Sequence, residues 1–153
     1  MMLDRETFIE VIRHTPLVSI DLIVTRDDGC VLLGQRLNEP ARNYWFVPGG
    51  RIYKDEPLAH AFARICRDEL GSEYPLADAE LLGCYDHFYR ENFAGEPGVS
   101  THYVVLAYRL AAVTELKMLP HIQHDHYRWF HPADIPNDTA IHDNTRAYFR
   151  ASG

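Results

Sequence analysis

The sequence lacks an excess of basic residues and any long apolar run. It carries 15 Lys and Arg against 22 Asp and Glu, a formal net charge of −7 with neutral histidine. Binding to nucleic acid by counterion release needs a basic surface, and anionic membranes attract basic segments, so neither kind of partner is expected. A transmembrane helix needs about 20 consecutive apolar residues, and no run approaches that length.

Cysteine is scarce, and its spacing excludes two common kinds of site. The three cysteines are Cys30, Cys66 and Cys84. Their odd number and the lack of CxxC spacing predict neither a disulfide framework nor a zinc ribbon. The first residues are acidic too early for a secretory signal, with Asp4 and Glu6 close to the start. We therefore expect a reduced, cytoplasmic protein.

The length and composition predict one globular domain, over residues 1–153. Of the 153 residues, 46% are hydrophobic, which is enough to bury a core without disulfides or metals. No internal repeat, low-complexity tract or long linker divides the chain.

Hydrophobic periodicity predicts strands around one central helix, with a further helix at each end of the chain. Asp4 is a candidate N-cap for a first helix that ends at Thr15-Pro16. The central helix follows Pro57 and ends at Gly71, and Asp28-Gly29 predicts a hairpin turn. Strands are predicted over 17–26, 30–36, 80–89, 101–113 and 126–131, and a closing helix over 144–151. The fold class is therefore α/β (α+β) with a mixed sheet.

The central helix and the residues before it carry the most informative polar pattern. Gly49-Gly50 can turn sharply and present a carbonyl without a Cβ in the way. Glu56 precedes the helix, and Arg64 can pair with Asp68 one turn later. Asp68 and Glu69 are about 100° apart around the axis, so at most one points at a given ligand. Carboxylates facing a glycine turn suit Mg²⁺, although such charges more often form a solvated helix face.

The spacing of these residues matches a known motif. Gly50, Glu56, Arg64, Glu69 and Gly71 lie at the fixed positions of the Nudix box, Gx5Ex7REUxEExGU with U aliphatic. The chain thus resembles the Nudix hydrolase superfamily. The resemblance implies a Nudix-type α/β/α sandwich with a mixed β-sheet and one helix carrying the box. It also implies hydrolysis of a nucleoside diphosphate derivative with Mg²⁺ or Mn²⁺.

Three departures from the box bear on the chemistry. Ile65 follows Arg64 where the box has glutamate, so Ile65 and Glu69 share the helix face that usually carries two metal-binding glutamates. Asp68 replaces the first of the paired glutamates, and Ser72 replaces the aliphatic residue. With one carboxylate missing, water activation by two metal ions is doubtful, so the protein is either a degenerate binder or an enzyme with rearranged chemistry.

A closer resemblance favours rearranged chemistry. Similar segments occur at 15–19, 44–51, 87–89, 101–105, 123–125 and 144–149. They resemble the GDP-mannose mannosyl hydrolases, a Nudix family with this same altered box. The resemblance implies that water attacks the anomeric carbon of GDP-mannose, or alternatively GDP-glucose, and that GDP and the inverted sugar are released. It also implies a homodimer.

Residue roles are carried over from that resemblance. Mg²⁺, replaceable by Mn²⁺, is held by the Gly49 carbonyl, Glu69 and Gln123, all oxygen donors. Arg36 and Arg51 offset charge on the diphosphate, a task that guanidinium groups suit. The other implied residues are His124 as general base, Asp21, Tyr103 and His87 around the sugar and leaving group, and Phe8, Met2 and Leu3 around the guanine.

Two other functions stay open. An ordinary Nudix diphosphatase would attack phosphorus, with Glu56 and Asp68 joining Glu69 to bind a second ion. A catalytically silent nucleotide-sugar binding module would explain the missing carboxylate at Ile65.

Overall fold

A computed structural model describes residues 3–111 and 124–150, with the backbone alone at residues 124 and 125. The helices are α1 (Arg5–His14), α2 (Leu58–Leu70) and α3 (Asp143–Arg146). The strands are β1 (Leu17–Thr25), β2 (Val31–Arg36), β3 (Trp45–Phe46), β4 (Gly49–Arg51), β5 (Ala79–Tyr89), β6 (Thr101–Ala111) and β7 (His124–Phe130). The predicted elements are therefore present, with bounds shifted by a few residues, and β3 and β4 are additional.

Strand β1 lies at the centre of a mixed sheet. It pairs in parallel with β6, from Leu17 opposite Tyr103 to Thr25 opposite Ala111. It also pairs antiparallel with β4, and β6 pairs antiparallel with β5. On the other side of β1, β2 pairs antiparallel with both β3 and β7. The mixed sheet that the sequence predicted is confirmed.

The two faces of the sheet carry two different cores, because side chains alternate along a strand. Ile20, Leu22 and Val24 of β1 are buried against α2. Ile23 points the other way and packs with a second cluster that includes Ile141 from the chain just before α3. The sheet thus lies between α2 and the C-terminal segment, as expected for the sandwich class. No helix in the described ranges is long and apolar enough to cross a membrane.

The predicted helix ends are confirmed by their hydrogen bonds. The Asp4 carboxylate accepts from the Thr7 N–H at 2.8 Å, which caps α1. Gly71 has φ +85°, the left-handed conformation that glycine adopts without strain. Its N–H donates to the Arg67 carbonyl and ends α2.

Of two predictions about chain turns, the one at Gly49-Gly50 is wrong and the one at Asp28-Gly29 is confirmed. Gly49-Gly50 forms no sharp turn, because both residues belong to the extended strand β4. The turn at Asp28-Gly29 exists, but β1 and β2 pair only at Thr25 and Val31. The hairpin is short because β4 pairs with the same edge of β1 at Ser19, Ile20 and Asp21, whereas β6 lines the opposite edge along the whole strand.

The closing helix is shorter than predicted. α3 is a single turn, followed by a 3-10 turn at Ala147–Phe149, and residue 151 lies outside the described residues. Thr145 is buried, and its hydroxyl accepts from the Val47 N–H at 3.3 Å. This bond ties the segment to the chain between β3 and β4.

Candidate active site

A pocket of about 350 Å³ lies over the first halves of β1 and β6. Seven of the residues to which the resemblance assigns a role in the site line it: Phe8, Asp21, Arg36, Gly49, Arg51, His87 and Tyr103. The other lining residues are Ser19, Phe46, Val47, Gly50, Tyr53, Arg64, Asp68, Tyr89 and Val105. Residues far apart in the sequence therefore meet in one concave site of the size that small ligands occupy.

The remaining predicted site residues either do not line the pocket or lie outside the described side chains. Glu69 lies next to Gly49, and Leu3 does not line the pocket. The backbone of His124 lies opposite Arg36 in the β2–β7 ladder, which brings that part of the chain beside a pocket residue. Met2 and Gln123 lie outside the described residues.

Gly49 is required because two groups approach it closely. A Cβ at this position would lie 2.5 Å from both the Asp21 Oδ1 and the Ile20 carbonyl oxygen. Gly49 and Asp21 form a non-hydrogen-bonded pair of the antiparallel ladder, since the flanking bond runs from the Leu22 N–H to the Pro48 carbonyl. The N–H and C=O of Gly49 therefore both point away from β1.

Glu69 lies beside the N–H and C=O of Gly49 that point away from β1. Glu69 is 3% exposed as a residue, and its Oε1 accepts from the Gly49 N–H at 3.2 Å. The Gly49 carbonyl points to the same side, so two oxygen donors suited to a hard divalent cation lie close together. Within residues 3–111 and 124–150, no group of three or more His, Cys, Asp and Glu could hold a metal ion by itself.

The position where the box lacks a carboxylate belongs to the apolar core. Ile65 is 1% exposed and packs in the cluster between α2 and the sheet. A Cβ on Gly50 would lie 3.2 Å from Cγ1 of Ile65. The isoleucine thus fills the space beneath β4, on the same helix face as Glu69.

The other two acidic residues of the box are engaged with Arg64. Glu56 accepts from Arg64 Nε at 2.7 Å and from Nη2 at 2.9 Å, and also from the Tyr53 N–H at 3.0 Å. The guanidinium lowers the pKa of Glu56. Asp68 is 47% exposed and lies 3.6 Å from Arg64 Nη1, so the predicted pair exists. Arg64 also donates to the Arg51 carbonyl at 2.7 Å, which fixes the end of β4.

Two guanidinium groups face the pocket without a carboxylate partner. Within the part of the chain that the structure describes, no acidic group lies within ion-pair distance of Arg36 or Arg51. Arg36 lies 5.5 Å from the centre of the Phe46 ring, and Arg51 lies 4.6 Å from that of Phe8. In a protein of net charge −7, this arrangement favours an anionic ligand.

Asp21 lies on the opposite sheet face from α2 and is held by a residue that sequence reasoning missed. The Tyr148 hydroxyl donates to Asp21 Oδ2 at 2.7 Å and lies 3.3 Å from His87 Nε2. Burial raises the pKa of Asp21 to about 7, with the Tyr148 bond and Arg36 opposing the rise. Burial, reinforced by His142, lowers the pKa of His87 to about 4, so this imidazole is neutral at pH 7.

Aromatic rings form the remaining wall. Burial raises the pKa of Tyr103, while Arg36 and Arg51 oppose the rise, so its hydroxyl stays protonated. The Phe8 ring lies 5.0 Å from that of Phe93, centre to centre, and Phe93 is 40% exposed. Phe93 does not itself line the pocket, and nothing local in the sequence relates its loop, before β6, to α1.

Comparisons with known proteins agree with this architecture. A relative from Haloferax volcanii, the low-salt glycan biosynthesis protein Agl8, is 37% identical over 123 residues, 80% of this chain and 75% of that protein. The MutT NUDIX hydrolase of Burkholderia pseudomallei has a TM-score of 0.68 at 28% identity and covers 89% of this chain and 97% of its own. The NUDIX domain of Shewanella oneidensis NrtR, solved with ADP ribose, shares the fold at a TM-score of 0.66 and 20% identity, over 96% and 89% of the two chains.

The family assignment follows from the extent of the match. The model of the NUDIX domain matches residues 15–151, which include the altered box, the strands of the sheet and the pocket residues from Asp21 onwards. The Haloferax relative is 37% identical to this chain over most of both chains. The chain therefore belongs to the Nudix hydrolase family.

Proposed function

We propose that this Nudix hydrolase cleaves GDP-mannose, with GDP-glucose as a second candidate substrate, into GDP and free sugar. In the proposed reaction water attacks the anomeric carbon, the bond from that carbon to the diphosphate oxygen breaks, and the sugar leaves with inverted configuration. The proton of the attacking water passes to a general base, and the bonding electrons leave with GDP. Nudix enzymes bind nucleotide derivatives, so the substrate class agrees with the family.

The arrangement of the acidic groups is the observation that favours attack of water at carbon over attack at phosphorus. Attack on phosphorus with two metal ions needs several carboxylates gathered at one place. Ile65 occupies one such position as a core residue, and Glu56 is bound by Arg64 and the Tyr53 N–H. Asp68 is half exposed and paired with Arg64. Of the three acidic residues of the box, only Glu69 hydrogen-bonds to β4, which supports a site with fewer metal ions.

Arg36 and Arg51, which have no carboxylate within ion-pair distance among the described residues, support a diphosphate leaving group. Negative charge grows on the diphosphate as the bond to carbon breaks, and fixed cations that face it lower the barrier. Guanidinium groups match phosphate oxygens in pairs and stay charged at every working pH. We assign this task to Arg36 and Arg51.

The donor set at β4 fits a divalent metal, and Nudix hydrolases generally use divalent metals such as Mg²⁺. We propose Glu69 and the Gly49 carbonyl as ligands, with Gln123, which lies outside the described residues, as the third. When bound, Mg²⁺ or Mn²⁺ supplies positive charge next to the diphosphate oxygens.

Further roles are proposed for pocket residues and for two residues near the N-terminus. We propose His124 as the general base, because imidazole titrates near neutrality. Asp21, Tyr103 and His87 are proposed to contact the sugar and leaving group, and Phe8, Met2 and Leu3 the guanine. The Haloferax relative is named a glycan biosynthesis protein, and this name supports a sugar-containing substrate here. We further propose that residues 1–153 form a single Nudix domain. We also propose that the protein is cytoplasmic and that two copies form a homodimer.

Hydrolysis of GDP-mannose with Mg²⁺ in ¹⁸O-labelled water tests the reaction. The expected products are GDP and mannose, with the label in mannose, because the new oxygen bonds to carbon. Label in GMP or mannose 1-phosphate would instead establish attack at phosphorus. Tight binding of GDP-mannose without turnover at any divalent ion would establish a silent binding module.

Glu69→Gln tests the metal site. We expect the variant to need at least about tenfold more Mg²⁺ for half-maximal activity, because the amide loses the charge that a hard cation prefers. Asp68→Asn is the matched control, since it removes the adjacent carboxylate from the exposed side of α2. An unchanged Mg²⁺ titration for Glu69→Gln would reject Glu69 as a ligand.

A further inference from the structure

The 3-10 turn that follows α3 places one hydroxyl behind the pocket. Tyr148 does not line the pocket, but its hydroxyl donates to Oδ2 of Asp21, which does. The Tyr148 ring packs edge-to-face on Tyr85, with centres 4.9 Å apart. The hydroxyl is therefore held by ring packing and directed at a carboxylate of the site.

The three polar groups form a chain with a defined direction. Burial and Asp21 raise the pKa of Tyr148, so the phenol keeps its proton. That single proton is donated to Asp21, so His87 contacts the tyrosine oxygen at 3.3 Å as a donor from Nε2. Within the described residues, Tyr148 is the only side chain that donates a hydrogen bond to the Asp21 carboxylate.

Both carboxylate oxygens of Asp21 are thereby constrained. Oδ2 is bound by Tyr148, and Oδ1 lies close to the backbone of Gly49. A half-buried carboxylate without its donor would take another partner, and rotation of the side chain is the available route. The orientation of Asp21 in the pocket thus depends on a hydroxyl that does not itself line the pocket.

We propose that Tyr148 is a positioning residue of the active site, which sets the orientation of Asp21 while His87 secures the tyrosine oxygen. The proposal rests on the proposed function to the extent that Asp21 contacts the reacting sugar. It adds the C-terminal segment, 127 residues away in sequence from Asp21, to the elements that build the site.

Tyr148→Phe removes the hydroxyl and keeps the ring. We expect kcat for GDP-mannose to fall about tenfold while KM stays within about twofold, because a single charge-assisted hydrogen bond is lost behind the pocket. In an Asp21→Asn background the same substitution is expected to change kcat less than about twofold, since coupled residues are not additive. Tyr85→Phe is the control, because it removes a neighbouring hydroxyl that does not contact Asp21.

Either of two kinetic results would overturn the proposal. One is an unchanged kcat for Tyr148→Phe, and the other is an equal loss with and without the Asp21 carboxylate. Melting temperatures of all variants show whether a loss reflects unfolding.

A spectroscopic measurement covers the case in which Tyr148→Phe does not fold. 3-Fluorotyrosine placed at position 148 keeps the hydroxyl, and its ¹⁹F resonance is expected to shift when Asp21 is replaced by Asn. An unshifted resonance would show that the bond does not exist. This readout needs no turnover, so it stays informative even if labelled water shows attack at phosphorus and the proposed function fails.

Discussion

His124→Gln is expected to lower kcat for release of free sugar about 10²- to 10⁴-fold, the range typical for removal of a general base. Glutamine can hold a water molecule by hydrogen bonds but cannot take its proton near neutral pH. The backbone of His124 lies opposite Arg36, which lines the pocket, so the residue belongs to the part of the sheet that borders the site. Initial rates at saturating GDP-mannose and Mg²⁺ measure the effect.

The control for His124→Gln is an exposed histidine on a different element. His60 is exposed on α2, and we expect His60→Gln to keep kcat within about threefold of wild type, as for a surface change at a residue that does not line the pocket. The Mg²⁺ titration of His124→Gln should match that of wild type, because the lost group is proposed as a base and not as a ligand. Full turnover in this variant would remove His124 from the mechanism.

Glu56→Gln is expected to lower the free energy of unfolding by about 3 kcal/mol, because it leaves the Arg64 charge partly buried with its main partner gone. The two side chains are 15% and 18% exposed and share a two-pronged hydrogen bond. Arg64 also holds the Arg51 carbonyl and lies 3.9 Å from the centre of the Tyr53 ring. Urea unfolding at pH 7 measures the loss.

Asp68→Asn removes the second acidic partner of the same arginine and serves as the comparison. Asp68 is 47% exposed and 3.6 Å from Arg64, so we expect a cost of about 0–1 kcal/mol, as for other surface pairs. Equal costs for the two variants would contradict the view that Glu56 serves the fold. A raised KM in Glu56→Gln is also expected, since Arg64 positions the strand end that carries Arg51.

The helix that carries the box could be predicted almost completely. Its glycine stop and the shared face of Ile65 and Glu69 are properties of helical geometry, which a local stretch of sequence determines. The burial of both residues follows from that face. Asp68, one position earlier, points to the exposed side for the same reason.

The role of Gly49-Gly50 could be predicted only in part. The sequence indicated two successive positions without side chains, but glycine is compatible with both a turn and a strand. The pairing of β4 with β1 decides between them, and the approach of Asp21 and the Ile20 carbonyl supplies the reason for glycine. That reason depends on another part of the chain.

The sequence by itself determined the family, the mixed-sheet class and the altered box, because these depend on local periodicity and on motif spacing, which a linear chain displays directly. The resemblance built on that box, and not periodicity, named seven of the residues that line the pocket. The tertiary structure alone decided three contacts of the site: Tyr148 with Asp21, Gly49 with Glu69, and Phe93 with Phe8. These contacts join distant segments, and the burial of apolar surface on both faces of one sheet brings those segments together.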